Sequence, residues 1–166
     1  NYRANKISQK AVGEMRRARE EEFRPYVVLD IRFDRSEMYL ILKNEGKSPA
    51  FNVRLPLDQN PRVWNSLVGG KEFHFKDMAI SRELAMLSPG EEFKEWVDES
   101  FRFFKNNEGK QLTGKITYDD SEGKKFEFPV DMDLTPYAQR SYTIQKGFKE
   151  LTTAVSNVQK NLQRNW

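Results

Sequence analysis

Asn44-Glu45-Gly46-Lys47-Ser48-Pro49-Ala50-Phe51-Asn52-Val53 is the stretch that sets the fold class. Its first half is turn chemistry, with Gly46 permitting the turn. Its second half starts a strand at Pro49-Ala50, and Asn52 can tie a loop through its side chain. Leu87-Ser88-Pro89-Gly90-Glu91 repeats the logic of a tight turn set against a strand.

On either side of these signals the chain alternates with a period of two. Val27, Leu29, Ile31 and Phe33 share one face of 26–34, and Asp30, Arg32 and Asp34 share the other. Met38, Leu40 and Leu42 alternate with Tyr39, Ile41 and Lys43 over 37–44. Phe51, Val53, Leu55 and Leu57 alternate with Asn52 and Arg54 over 50–57. One apolar face per strand is the pattern of an antiparallel sheet covered on one side. Asp34-Arg35-Ser36 is short enough to make the first two strands a hairpin. Residues 91–98, with Phe93, Trp96 and Val97, read as another strand. The clearest hairpin joins 111–119 to 124–132 through Asp120-Ser121-Glu122-Gly123. Leu112, Ile116 and Tyr118 face inward on its first strand, and Phe126, Phe128, Val130 and Met132 on its second. Residues 58–86 are the least regular, with turns at Asn60-Pro61 and Gly69-Gly70 and room for a short strand in 71–80. The expectation is a mainly β fold, an antiparallel sandwich of about seven strands over 26–134.

Helices flank it. Residues 3–23 lack proline and are rich in Arg, Glu, Lys, Ala and Met, and Pro25 stops the helix. Its apolar stripe is thin: Ile7, Ala11, Met15 and Ala18. Residues 135–166 form the second helix, which Thr135 can cap and whose first turn suits Pro136. Ile144, Phe148, Leu151, Val155, Val158 and Leu162 recur there at a 4-3-4-3-4 spacing. About 28 residues at about 1.5 Å each make a rod of about 40 Å. The flanking Gln145, Gly147, Thr152, Ala154, Gln159 and Asn161 are uncharged, so the charge pairing that fixes coiled-coil partners is absent. The seam either packs on its own sandwich or N-terminal helix, or pairs with another chain. Three segments follow: 1–25, 26–134 and 135–166.

The 166 residues suffice for one domain with a core. Mean hydropathy is −0.82, yet an aromatic content of 13% argues against disorder. The net charge of +3 is unevenly spread. Residues 1–25 carry seven Lys/Arg against four Asp/Glu, and 137–166 carry five against one. The middle carries sixteen against twenty. Six of the basic residues, Arg3, Lys6, Lys10, Arg16, Arg17 and Arg19, lie in 1–19 with Glu14 as the only acid. Such a segment gains from an anionic membrane surface, or docks on the acidic middle. A nucleic-acid partner is not expected, because the sandwich is acidic. No apolar run is long enough to span a bilayer. The chain opens at Asn1 without a Met, which reads as a fragment or a processed product.

Catalytic constellations are missing. Zero cysteines exclude thiolate metal sites, disulfides and Cys nucleophiles, and His74 is the only histidine. Gly69-Gly70-Lys71 lacks the glycine and the Ser/Thr that a phosphate loop needs, since Asn65 and Glu72 stand there. Asp119, Asp120 and Glu122 read as a solvated turn rather than a calcium loop. Asp30 with Asp34, and Asp131 with Asp133, read as wet sheet faces. Trp96 reads as core, Trp166 as a residue ordered by a partner, and Trp64 as the aromatic placed to stack on a ligand. No cofactor and no metal are expected.

The Asn-x-Gly-x-x-Pro-Ala-x-Asn-Val run from Asn44 to Val53, followed by Leu-x-Pro-Gly-Glu from Leu87 to Glu91, resembles bacterial immunoglobulin-like sandwiches of the cell-adhesion-related (CARDB-like) type. Arg24-Pro25-Tyr26-Val27-Val28 resembles bacterial proteins in which membrane helices lead through a basic helix into such a sandwich. The resemblance spans about 24–134 and implies an immunoglobulin-like fold. It also implies a non-enzymatic interaction or scaffolding domain, the soluble part of a membrane-anchored protein at the cytoplasmic face. Partner contact or self-association would run through the C-terminal helix. The alternative is a carbohydrate- or ligand-binding sandwich using Trp64.

Overall fold

The computed structural model describes residues 2–63, 72–138, 147 and 149–157, and for 2–10 and 20 the backbone alone. The chain is mainly β, with antiparallel sheets and several helices. Helix α1 (Tyr2–Glu22) leads into β1 (Val27–Asp34), β2 (Glu37–Asn44) and β3 (Ala50–Arg54). Two-residue strands β4 (Arg62–Val63) and β5 (Phe73–His74) follow, then two 3-10 turns at Phe75–Asp77 and Ala79–Ser81. Then come β6 (Leu84–Leu87), β7 (Glu92–Glu99), helix α2 (Ser100–Asn106), β8 (Gln111–Asp119) and β9 (Lys125–Asp133). Helical residues resume at 135–138 and again at 149–157.

One sheet has the order β1-β2-β7, a second β6-β3-β8-β9, and β4-β5 form a small ribbon. Nine strands therefore stand among the described residues rather than about seven. Both larger sheets feed one buried cluster. Val27, Ile31, Met38, Leu40, Leu42 and Val97 come from the first, and Ala50, Val53, Leu87, Leu112, Ile116, Tyr118 and Val130 from the second. Each large apolar side chain buried this way stabilises the fold by about 1.5–3 kcal/mol before the entropy of ordering is counted. Phe75, Ile80, Phe103 and Leu134 close the cluster from the turns, α2 and the chain after β9.

Two bulges alter the strict alternation. Phe51 pairs with Asp119 and Arg54 with Thr117, so β3 spends three residues where β8 spends two. The extra residue is Asn52, at φ 51°, a left-handed value that Asn tolerates better than most. The inward set is therefore Ala50, Val53 and Leu55, not Phe51 with Val53 and Leu55. On β7 the register shifts between Met38 and Tyr39 of its partner, and Val97 and Asp98 are both buried. Ile41 is also fully buried, although it alternates with the core-facing Leu40 and Leu42.

Candidate functional site

The two turn signals of the sequence meet at Asn44. Its backbone N–H donates to the Glu91 carbonyl at 3.1 Å, and its carbonyl accepts from Gly90 N–H at 2.7 Å. Its side chain, fully buried, uses all of its amide capacity. Oδ1 accepts from Tyr26 N–H at 3.1 Å and Gly46 N–H at 3.0 Å. Nδ2 donates to the Ser48 carbonyl at 2.8 Å and the Leu87 carbonyl at 2.9 Å. One side chain thus joins the end of β2, the following turn, the end of β6 and the residue before β1.

The same turn grips the junction between α1 and the sheets. Glu45 N–H donates to Tyr26 O at 2.7 Å, Lys47 N–H to Arg24 O at 3.3 Å, and the Tyr118 hydroxyl to Pro25 O at 3.2 Å. A Cβ at Gly46 would lie 2.4 Å from Tyr26 N and 2.5 Å from Arg24 O. Gly46 permits the turn through close backbone approach, since its φ is not positive. Side chains add to the grip. Lys47 pairs with Glu22 at 2.5 Å and holds that carboxyl below its ordinary pKa. Phe23, half exposed, has the Lys47 ammonium 5.1 Å and the Arg19 guanidinium 5.9 Å from its ring centre. Arg24 lies 5.8 Å from the Phe128 ring and 6.0 Å from Phe126, and Tyr26 packs edge-on against Phe128 at 5.3 Å.

Beyond this junction α1 stands clear of the sheets. Residues 11–19 are all exposed, including Ala11, Val12, Met15 and Ala18, so this stretch does not dock on the acidic middle. Arg16, Arg17 and Arg19 are exposed with it. Arg3, Lys6 and Lys10 occupy the helical backbone of α1, and their side chains lie outside the described residues. Leu151 and Val155 of the C-terminal seam are 62% and 54% exposed, so these two do not pack on the sheets. Ile144, Phe148, Val158, Leu162, Trp64 and Trp166 lie outside the described residues.

Asp30, Asp119, Asp120, Asp131 and Asp133 are occupied structurally. Asp119 accepts from Asn52 Nδ2 at 2.9 Å, and Asp120 Oδ1 accepts the N–H groups of Glu122 and Lys124 at 2.9 Å each. Asp30 engages Arg32, whose guanidinium is bidentate on Glu92 at 2.9 and 2.8 Å. Asp131 accepts from Gln111 and Asp133 from Thr135 N–H. Among the described residues no cluster of His, Asp and Glu could hold a metal ion. His74 sits half-buried in β5, its backbone N–H donating to Asp77. A groove of about 530 Å³ lies over β3, β8 and β9, and most of its polar walls are paired, as Asn52–Asp119 and Arg54–Glu83 with one another and Glu127 with Lys115, while Lys125 also lines it. A smaller cavity of about 260 Å³ is lined by amides. Gln59 binds Thr113 there, and Asn107 ties Arg62 to the end of α2.

One buried acid escaped the sequence. Asp98 is fully buried at the β7 bulge, where it opens the step into α2. Its Oδ1 accepts Glu99 N–H at 2.7 Å and stands 3.6 Å from Arg102 Nη1, while Oδ2 has no hydrogen-bond partner among the described residues. Burial pushes its pKa up to about 6, against the pull of the Glu99 N–H and Arg102. Trp96, expected in the core, is half-buried, its indole N–H enclosed and without a hydrogen-bond partner among the described residues.

Among the described residues no helix is long and apolar enough to cross a membrane. No curated protein and no solved structure matches the chain. A family model does match, over residues 2–138, which takes in α1, the junction and every strand described above. By that match the chain belongs to the family described as domain of unknown function DUF8453.

Proposed function

We propose that this chain is a non-enzymatic interaction or scaffolding module, the soluble part of a membrane-anchored bacterial protein. In this reading the two larger sheets form an immunoglobulin-like sandwich of the CARDB-like type. The sandwich is a stiff body from which the helices project. The basic residues of α1 keep it beside the cytoplasmic face of an anionic membrane. The C-terminal helix offers its apolar seam to a protein partner or to a second copy. The observation that carries the reading is a contrast in exposure. The sheets close their own core, while α1 and the C-terminal helix leave Val12, Met15, Leu151 and Val155 in solvent.

The junction supports it further. A helix that served only as a tether would need no buried amide, close-packed glycine and cation–aromatic contacts at its base. Here these fix its direction relative to the sheets. The test is co-sedimentation of the chain with phosphatidylserine-containing vesicles at low and high salt, beside a variant with Arg16, Arg17 and Arg19 changed to Glu. Each Lys or Arg near such a surface is worth about 1 kcal/mol. The variant is therefore expected to stay in the supernatant. Equal sedimentation of both proteins would sink the proposal.

A further inference from the structure

From Ala11 to Ala18, helix α1 carries an apolar stripe that is exposed in the described structure. Helical spacing sets positions 7, 11, 15 and 18 on one line, occupied by Ile7, Ala11, Met15 and Ala18. From Ala11 onward this line is exposed, Met15 by 73%, with Val12 beside it exposed by 62%. Three of the six basic positions border it, and Glu14 stands at the same edge. By the same geometry, positions 3 and 10 flank the stripe on one side and 19 on the other, with 6, 16 and 17 further round. Gly13 lies on the far side.

That arrangement has a physical use. A basic side chain at the border of an apolar stripe can lay its stem over the stripe and hold its charge at the level of lipid headgroups. Where α1 ends, Phe23 is 50% exposed and has two cations within 6 Å of its ring centre, Arg19 and Lys47. Aromatic rings among cations suit the boundary between headgroups and hydrocarbon. Six basic residues stand against Glu14 alone in 1–19, and Glu20, Glu21 and Glu22 bring three acids to the last turn of α1. Lys47 is paired with Glu22, but both side chains are more than half exposed, so the pair exchanges readily for a phosphate.

We propose that α1 lies flat on an anionic bilayer, its Ala11–Met15–Ala18 stripe turned into the lipid and Phe23 anchoring its end among the headgroups. This rests on the membrane-proximal reading above and adds an orientation to it. Attraction by charge alone would leave the whole helix in water. A stalk descending from a membrane span would stand off the surface. Since the junction is clamped, a flat helix also fixes which side of the sheets faces the membrane.

The chain has no cysteine, so a single introduced one carries a nitroxide label at a known place. Labels go on Ala11→Cys, Met15→Cys, Ala18→Cys and Gly13→Cys of the 166-residue chain; an added Cβ at Gly13 meets nothing within 4 Å. Contact of each label with a water-soluble nickel complex is measured with no lipid, with phosphatidylcholine vesicles, and with vesicles that also contain phosphatidylserine. The expected result is a several-fold loss of nickel contact at 11, 15 and 18, and none at 13, with the anionic vesicles only. If the chain sediments with anionic vesicles yet all four labels stay in contact with nickel, the flat orientation is overturned and attraction by charge stands. If it does not sediment with them, both fall. Protection that appears without lipid and grows with protein concentration would assign the stripe to a second copy and overturn the proposal.

Discussion

Replacing Asn44 by alanine removes four hydrogen bonds at once. The amide accepts from Tyr26 and Gly46 and donates to Ser48 and Leu87, and the residue has no exposed surface. A net hydrogen bond is worth about 1 kcal/mol, and a buried group left without a partner costs about 1–3 kcal/mol. The bond to the Leu87 carbonyl is fully buried and the other three partly so, which puts Asn44→Ala at about 4 kcal/mol. That is a large share of the 5–15 kcal/mol typical of a domain. Urea unfolding followed by tryptophan fluorescence should show the midpoint falling by about 2 M, given slopes of about 1–3 kcal/mol per molar. Asn52→Gly is the matched control from the same motif. It loses one exposed bond to Asp119 but relieves a left-handed φ of 51°, so its midpoint should hardly move. A cost below about 1 kcal/mol for Asn44→Ala would refute the assignment of Asn44 as the knot of the fold.

Gly46→Ala should cost more than about 2 kcal/mol by the same assay, because its Cβ would meet the Tyr26 and Arg24 backbone, which cannot yield as a side chain can. Asp98 supplies a pH signature. With its pKa raised from 3.8 to about 6 in the folded protein, its contribution is full below pH 3.8 and is lost as pH rises through 6. At pH 7 the ionised, buried Asp98 then costs about 3 kcal/mol relative to the protonated form. Asp98→Asn should therefore raise stability at pH 7 and flatten the pH dependence between about 4 and 7; an unchanged profile would show that Asp98 is not the titrating group. Leu151→Asp and Val155→Asp, both at exposed positions, should leave the melting of the sheets unchanged while light scattering shows a smaller assembly. A lower melting temperature at unchanged mass would instead mean that the seam packs within the chain.

The strands with one apolar face were legible because alternation reports burial directly. β1, β2, β8 and β9 lie where Val27 to Phe33, Met38 to Leu42, Leu112 to Tyr118 and Phe126 to Met132 put them. The bulge at Asn52 was not legible, since one inserted residue changes which neighbours face inward without changing composition. Ser100–Asn106 forms α2 although its three phenylalanines suit a strand; Phe103 is buried in the core and Phe104 packs against it. β6 is only four residues, two of them exposed, and it is a strand because Ala50, Phe51 and Val53 offer it an edge. The motif itself was visible, but not its role. Asn44 and Gly46 look like ordinary turn residues until the segment before β1 is laid across them. Asp98 was hidden for a like reason, because only the bulge turns it inward. Of the residues expected to meet a membrane or a partner, Arg16, Arg17, Arg19, Leu151 and Val155 are exposed, as either role requires.

Fractionation of the full-length gene product in its own cells tests the central claim most directly. The membrane-anchored reading predicts that the protein pellets with membranes, resists a high-salt wash, and is reached by protease only when the cytoplasmic face is opened. A protein that remains in the supernatant in low salt, or one that protease reaches from outside intact cells, would contradict it.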